Sequence, residues 1–227
     1  MITLIVPTYN ERSNIRVLVL EVQAVLEGAG IRGYEILVMD DDSPDGTADI
    51  VNGWHDPSVR AVNRRGKPKG LSASVIDGFH EARMDIVGVM DADLSHPPAA
   101  LPALIKALDG ADLAIGSRYV PGGGIVNWPW TRRLTSRLAC WLARPVTPVK
   151  DPTSGFFVLR KKILEGVRLN PWGFKIGLEV AVKAKHAGRF KEVPFVFTDR
   201  RSGKSKLKAG VMLSYLKQLW AIFLEKR

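Results

Sequence analysis

Three apolar runs in this chain each stop abruptly in a cluster of polar or acidic residues. Ile2–Val6 runs into Pro7-Thr8-Tyr9-Asn10-Glu11, Tyr34–Met39 into Asp40-Asp41-Asp42-Ser43-Pro44-Asp45-Gly46-Thr47, and Val87–Met90 into Asp91-Ala92-Asp93-Leu94-Ser95-His96. Short continuous apolar runs read as strands buried on both faces. Between them the spacing turns helical: Ser13–Glu27 carries Ile15, Leu18, Val22, Val25 and Leu26, and Thr47–Trp54, Leu71–Arg83 and Pro98–Leu108 follow. Arg60–Val62, Asp85–Met90 and Asp112–Ile115 supply further strands. Such alternation predicts an α/β fold, a mostly parallel sheet with helices on both faces. Ligands of these sheets sit at the carboxyl ends of the strands, where the polar clusters fall.

Asp91 and Asp93, spaced i, i+2 at a strand end, offer two hard oxygen donors. These suit Mg²⁺ or Mn²⁺ with positions left open for a substrate's phosphates. The same residues would also serve as caps for a helix starting near Pro97-Pro98. Asp40 lies close enough to its strand end to contact a ligand, whereas Asp45-Gly46-Thr47 reads first as a turn and cap. Tyr9 offers a ring on which a base can stack.

Charge narrows the partners. A formal net charge of +10 over 227 residues implies an anion: nucleic acid, an acidic membrane surface or a polyphosphate. A nucleic-acid-binding domain leaves the acidic strand ends unexplained, and no helix-turn-helix or RNP pattern is present. A dinucleotide-dependent dehydrogenase would need Gly-x-Gly-x-x-Gly after the first strand, where Pro7-Thr-Tyr-Asn stands instead. Cys140, the one cysteine, excludes an internal disulfide and fits a reducing compartment. The N-terminus reads as a first strand rather than a signal peptide, and no apolar run approaches the length of a membrane span.

Beyond Tyr119 the alternation weakens. Pro121-Gly-Gly-Gly124 reads as a turn, Thr131–Ala143 and Gly177–His186 as helices, and Phe156–Leu159 and Val193–Phe197 as strands. Residues 210–224 form an amphipathic helix with Trp220 and Phe223. It packs on the sheet or lies on a membrane; the arginine-bearing stretch 131–144 is a second membrane candidate.

Val-Pro-Thr-Tyr-Asn-Glu11, Met-Asp40-Asp-Asp-Ser-Pro-Asp-Gly-Thr47 and Met-Asp91-Ala-Asp-Leu-Ser-His-Pro97 resemble the motifs of family 2 glycosyltransferases of the GT-A fold. Gly116-Ser-Arg118-Tyr, Asp151-Pro-Thr-Ser-Gly155-Phe-Phe, Gly173-Phe-Lys175-Ile-Gly-Leu-Glu179 and Arg200-Arg-Ser-Gly-Lys-Ser-Lys206-Leu narrow the likeness to its dolichol-phosphate mannose synthases. The resemblance implies one GT-A domain over 1–227: a nucleotide half (1–120), an acceptor half (121–208) and a C-terminal helix (209–227). It implies that Pro7, Tyr9, Glu11, Val38 and Asp40 contact the nucleoside, and that Asp91, Ala92 and Asp93 hold the diphosphate and metal. Ser95 matches a metal-ligand position. Lys175, Arg200 and Lys206 face the donor; Arg118, Arg132 and Ser136 face the acceptor phosphate, with Asp91, Asp93 and Arg118 central to catalysis.

The activity so implied is inverting transfer of mannose from GDP-mannose to dolichyl or another polyprenyl phosphate, giving a β-linked product. UDP-glucose or another sugar nucleotide is the alternative donor. The Gln-x-x-Arg-Trp motif of polysaccharide-extending relatives is absent. A phosphate acceptor, already an anion, needs no general base. The expected setting is cytoplasmic, peripheral on the cytosolic face of a membrane, by surface contact or through a membrane-anchoring partner subunit. Many relatives carry C-terminal membrane helices, and this chain stops at Arg227 without them, as a short form or as part of a longer protein.

Overall fold

The computed structural model describes residues 1–173, 175–184, 189–199 and 209–225, the last stretch with side chains from Ser214. The order is β1 (Ile2–Thr8), α1 (Arg12–Gly28), β2 (Tyr34–Asp40), α2 (Thr47–Asn52), β3 (Val59–Asn63), α3 (Leu71–Glu81), β4 (Ile86–Val89) and α4 (Leu101–Ala107). Then come β5 (Leu113–Ser117), β6 (Gly124–Val126), α5 (Trp130–Leu142), β7 (Phe157–Arg160), α6 (Ile176–Lys183), β8 (Phe190–Pro194), β9 (Val196–Thr198) and α7 (Ala209–Glu225).

Seven strands form one sheet in the order β3-β2-β1-β4-β7-β5-β8, and β6 pairs with β9 in a second, two-stranded sheet. All pairings in the large sheet are parallel except those of β7, which runs against both β4 and β5. Side chains alternate between faces, as the two-residue period requires. Ile2, Leu4 and Val6 of β1 join Ile15, Leu18, Val22 and Leu26 of α1 and Leu101 and Leu104 of α4 in one core. Ile5, with Leu37 and Met39 of β2, meets Val75 and Phe79 of α3 and Ile176 and Val180 of α6 on the other face. Each fully buried Leu, Ile, Val or Phe contributes about 1.5–3 kcal/mol. Gly78 lets α3 settle on β1, since a Cβ there would lie 2.7 Å from Ile5 Cγ2.

Three expectations shift. The run Val193–Phe197 is two strands, because the chain breaks at Phe195: its N–H donates to Ser117 O (3.2 Å) and its ring is buried. Pro121–Gly124 is a turn that opens directly into β6, which pairs Gly124–Val126 with Val196–Thr198. The segment from Pro98 starts as a 3-10 turn before α4. Helix 177–186 is described as Ile176–Lys183, and its expected end lies outside the described residues.

α5 and α7 form a separate apolar contact. Ala139, Leu142 and Ala143 pack with Tyr215, Leu219 and Ile222, and the Tyr215 hydroxyl donates to Ala139 O (2.6 Å). The stripe containing 215 and 219 is therefore core, while Leu216, Trp220 and Leu224 are exposed, as are Trp130, Leu134, Leu138 and Trp141 of α5.

Candidate active site

The sheet order reverses between β1 and β4, the position where α/β sheets open a crevice at their carboxyl ends. Pro7, Tyr9 and Glu11 leave β1 there, and Asp91 and Asp93 leave β4. Tyr9 is 42 % exposed, with the Lys69 ammonium 5.5 Å from its ring centroid. Glu11 Oε2 accepts from Asn14 (2.8 Å).

Three residues expected at the nucleoside or diphosphate have buried side chains. Asp40 has no exposed surface: its oxygens accept from Thr8 Oγ1 (3.0 Å), Ser43 N (2.8 Å) and Ser43 Oγ (2.6 Å). These bonds pin the turn after β2. The side chains of Val38 and Ala92 belong to the core, because alternation along the strand and the bend after Asp91 turn them inward. Asp45 is a cap, accepting from Thr47 N, Thr47 Oγ1 and Arg12 N.

Asp91 remains accessible, with 36 % of its side chain exposed. His96, which sequence reasoning passed over, holds it from below. The Asp91 N–H donates to His96 Nδ1 (3.3 Å), and that nitrogen lies 3.8 Å from Asp91 Oδ2. His96 is buried, stacked on Phe156 (5.1 Å, 20°) and edge-on to Phe195 and Phe197 (both 5.6 Å). Burial pushes its pKa down, more than the Asp91 and Asp93 charges push it up, so the ring is a neutral acceptor at pH 7. Asp93 Oδ1 accepts from Ser95 N (3.1 Å) and Ser95 Oγ (2.5 Å). Ser95 is itself buried and orients Asp93.

Gly155 faces the carboxylate: a Cβ there would sit 3.4 Å from both Asp91 oxygens. Four residues earlier in the same segment, Asp151 grips Arg118. Arg118 Nε and Nη2 donate to the two Asp151 oxygens (2.7 Å each), Nη2 also donates to Thr153 Oγ1 (2.8 Å), and the Arg118 N–H donates to Asp151 Oδ2 (3.0 Å). Burial alone would raise the Asp151 carboxyl pKa; the bonds from Arg118 outweigh it and hold the pKa below the usual range. Arg118 is thus neither a solvated charge nor a free fork, since one edge of its guanidinium is committed to the protein. Its Cζ lies 5.6 Å from the Phe197 ring, so Asp91, His96, Phe197 and Arg118 line a single wall.

Trp128 gathers residues that the sequence placed on the acceptor side. Arg132 Cζ sits 3.9 Å and Arg118 Cζ 5.5 Å from its ring. Arg132 Nη1 donates to Asp199 (2.9 Å), while its Nε is buried without a partner among the described residues. Ser136 Oγ accepts from the Tyr119 hydroxyl (2.8 Å), and the Tyr119 ring is 5.4 Å from Arg118. Lys175 Nζ donates to Thr153 O (3.1 Å). Burial and the Arg118 charge lower its pKa, against Asp91 and Asp151. Arg200 and Lys206 lie outside the described residues. Tyr119, Trp128 and Asp151 escaped sequence reasoning, although Asp151 stands in a motif that marked the segment.

The arrangement is a carboxylate pair at one end of a crevice and a cluster of cations at the other, joined by one short loop. Among the described residues no three His, Cys, Asp or Glu side chains converge as a closed metal cage. The donor set fits an open site in which a divalent cation shares its coordination with phosphate and water.

The model of "Glycosyl transferase family 2" matches residues 3–168. The chain is 47 % identical to a dolichol-phosphate mannosyltransferase of Pyrococcus furiosus over 97 % of its own length, but it spans 63 % of that protein. It is 38 % identical to the dolichol-phosphate mannosyltransferase of Saccharomyces cerevisiae, covering 99 % of this chain and 87 % of that one. A polyprenol monophosphomannose synthase of Mycolicibacterium smegmatis is 38 % identical over 91 % of this chain and 80 % of its own. Among solved structures, glucosyl-3-phosphoglycerate synthase from Mycobacterium tuberculosis, in complex with Mn²⁺, UDP and glucosyl-3-phosphoglycerate, superposes with a TM-score of 0.70. That match covers 99 % of this chain and 79 % of that one at 18 % identity, a likeness of fold. The chain is a GT-A glycosyltransferase and belongs to glycosyl transferase family 2, alongside the dolichol-phosphate mannosyltransferases.

Proposed function

We propose that this chain transfers mannose from GDP-mannose to dolichyl or another polyprenyl phosphate, with inversion, as a single domain. The observation that carries this reading is the segment 151–155, which holds Arg118 through Asp151 and abuts Asp91 through Gly155. One loop thereby sets the distance between a diphosphate site and an anionic-acceptor site. The names of the relatives supply the sugar and the lipid.

In this account the guanine nucleoside lies over Pro7, Tyr9 and Glu11, with Tyr9 as the stacking ring. Asp91 and Asp93 hold Mg²⁺ or Mn²⁺. Bound there with the diphosphate, the cation neutralises charge that grows on the leaving group. Ser95 and His96 fix the two carboxylates so that little reorganisation is needed during reaction. Lys175, with Arg200 and Lys206, adds positive charge on the donor side.

The acceptor phosphate docks against Arg118, Arg132 and Ser136. The Asp151 grip leaves Arg118 Nη1 as the end of the fork offered outward, and Arg132 adds its charge across the shared Trp128 ring. The phosphate oxygen attacks the anomeric carbon opposite the departing diphosphate, so an α-linked donor yields a β-linked product, and no base is required. The exposed residues Trp130, Leu134, Leu138 and Trp141 recur on one face of α5 and would rest in the headgroup layer of the cytosolic leaflet. A membrane-anchoring subunit is the other route to the lipid. No described helix is long and apolar enough to cross a membrane.

The experiment is transfer of radiolabelled sugar into a polyprenyl phosphate, from GDP-mannose or UDP-glucose, with Mg²⁺, Mn²⁺ or EDTA. The reading predicts mannolipid formation that EDTA abolishes. Equal or greater labelling from UDP-glucose would overturn the donor assignment, and unchanged transfer in EDTA would overturn the metal.

A further inference from the structure

A cavity of about 280 Å³ lies on the outer side of α5, lined by Tyr119, Arg137, Cys140, Trp141, Arg144 and Lys150. Three of these six residues are cations. Among the described residues none of the three side chains makes an ion pair or hydrogen bond, although Arg60, Arg64, Lys67, Lys162 and Lys183 all have acidic partners. Like charges around one cavity repel each other unless an anion sits among them.

The cavity is not the acceptor site seen from another side. Tyr119 and Cys140 form a partition. Inward, the Tyr119 ring meets Arg118 and Cys140 Sγ lies 3.8 Å from Asp151; outward, the same two residues line the cavity.

Its position on the helix indicates the kind of anion. At about 100° per residue, Trp130, Leu134, Leu138 and Trp141 share one exposed face of α5. Arg137 falls along one edge of that face, between it and buried Cys140, and Arg144 follows two residues past the helix's last residue, lining the same cavity. An apolar face bordered by arginines and ending in tryptophans matches the headgroup layer of a bilayer: the rings and aliphatic stems lie at the acyl boundary, the charges at phosphate depth. We infer that Arg137, Arg144 and Lys150 form a second anion site, which takes the phosphate of an anionic membrane phospholipid distinct from the polyprenyl acceptor.

The test is co-sedimentation of the full chain with phosphatidylcholine vesicles containing or lacking one fifth phosphatidylglycerol, at 0.15 M salt. The variant Arg137→Ser/Arg144→Ser/Lys150→Ser is compared with a control, Arg32→Ser/Arg65→Ser/Lys106→Ser, which removes the same three charges from other exposed positions. A basic residue near an anionic surface is worth roughly 1 kcal/mol, so the cavity variant should bind phosphatidylglycerol vesicles at least tenfold more weakly. The control should stay within about threefold of the parent. Equal losses in the two variants would mean diffuse charge and overturn the site, as would undiminished binding by the cavity variant. The single charge reversal Lys150→Glu should shift binding in the same direction; no shift would count against the site.

Two further arms fix the source of the phosphate. Calorimetric titration with inorganic phosphate should give no saturation below millimolar concentration; tight binding would replace the lipid with a free anion. With polyprenyl phosphate in neutral detergent, the cavity variant should keep the parent's KM. A raised KM would make the cavity part of the acceptor site and overturn the inference. Vesicle binding needs no catalysis, so this test and that of the mannosyl-transfer reading fail independently.

Discussion

Two parallel strands of this molecule end in aspartate clusters, with opposite outcomes. After β2, Asp40 is fully buried and its oxygens are taken by Thr8 and Ser43. Asp41 is buried against Arg64, with Gly70 N (2.7 Å) and Ser74 Oγ (2.7 Å) completing its bonds. After β4, Asp91 keeps over a third of its side chain in solvent, and Gly155 keeps the space beside it free of a side chain. A strand end thus makes a carboxylate available but does not make it a ligand site. What decides is whether later segments bring donors to it. The loop from Arg64 to Gly70 and the first turn of α3 do so for Asp41, and a glycine opposite Asp91 does the reverse.

Breaking the structural cluster should have the largest effect. Asp41→Ala leaves the buried Arg64 guanidinium with Asp77 alone as counter-ion among the described residues and strips Gly70 N and Ser74 Oγ of their acceptor; it should cost about 3–5 kcal/mol, read as a lowered midpoint of urea unfolding. A loss below 1 kcal/mol would erase the contrast. Asp91→Asn should do the converse. Unfolding stays near that of the parent while transfer falls about 10²–10³-fold, the scale of losing one preorganised charge contact; steady-state assays beside the melting curve check both halves.

The Arg118–Asp151 pair adds a pH signature. Asp151 titrates below its ordinary 3.8 in the folded state. As pH falls below about 4 the unfolded chain takes up this proton first, so the stabilisation is full above that point and drains away as pH drops through the folded pKa. Asp151→Asn should be less stable at neutral pH and show a shallower decline between pH 4 and 2; identical slopes would contradict the assignment. Smallest is Ser95→Ala, which removes an orienting bond to Asp93. It should weaken metal affinity about tenfold with little change in stability, and the change should appear in metal titrations rather than in melting.

The first half of the fold was readable because its strands are continuous apolar runs and its helices keep strict spacing. β6 and β9 were not, since each is three residues long and exists only through the other. Asp91 and Asp93 were legible because the signal was local: apolar run, then two carboxylates. Asp40 looked equivalent, and only contacts made in three dimensions set it apart. Arg118 came with the family resemblance, but its partner Asp151 lies 33 residues away, beyond any periodic pattern. His96 was hidden because a buried histidine that accepts one backbone bond has the same sequence appearance as a loop residue. Arg132 and Ser136 were likewise named by family resemblance, whereas Trp128, the ring that gathers Arg118 and Arg132, required the fold.

The most direct measurement is Mn²⁺ binding in the presence of GDP-mannose, followed by electron paramagnetic resonance, for the parent, Asp91→Asn and Asp40→Asn chains. The account predicts that Asp91→Asn weakens Mn²⁺ binding at least tenfold and that folded Asp40→Asn binds as the parent does. Equal binding by the parent and Asp91→Asn, or loss confined to folded Asp40→Asn, would contradict it.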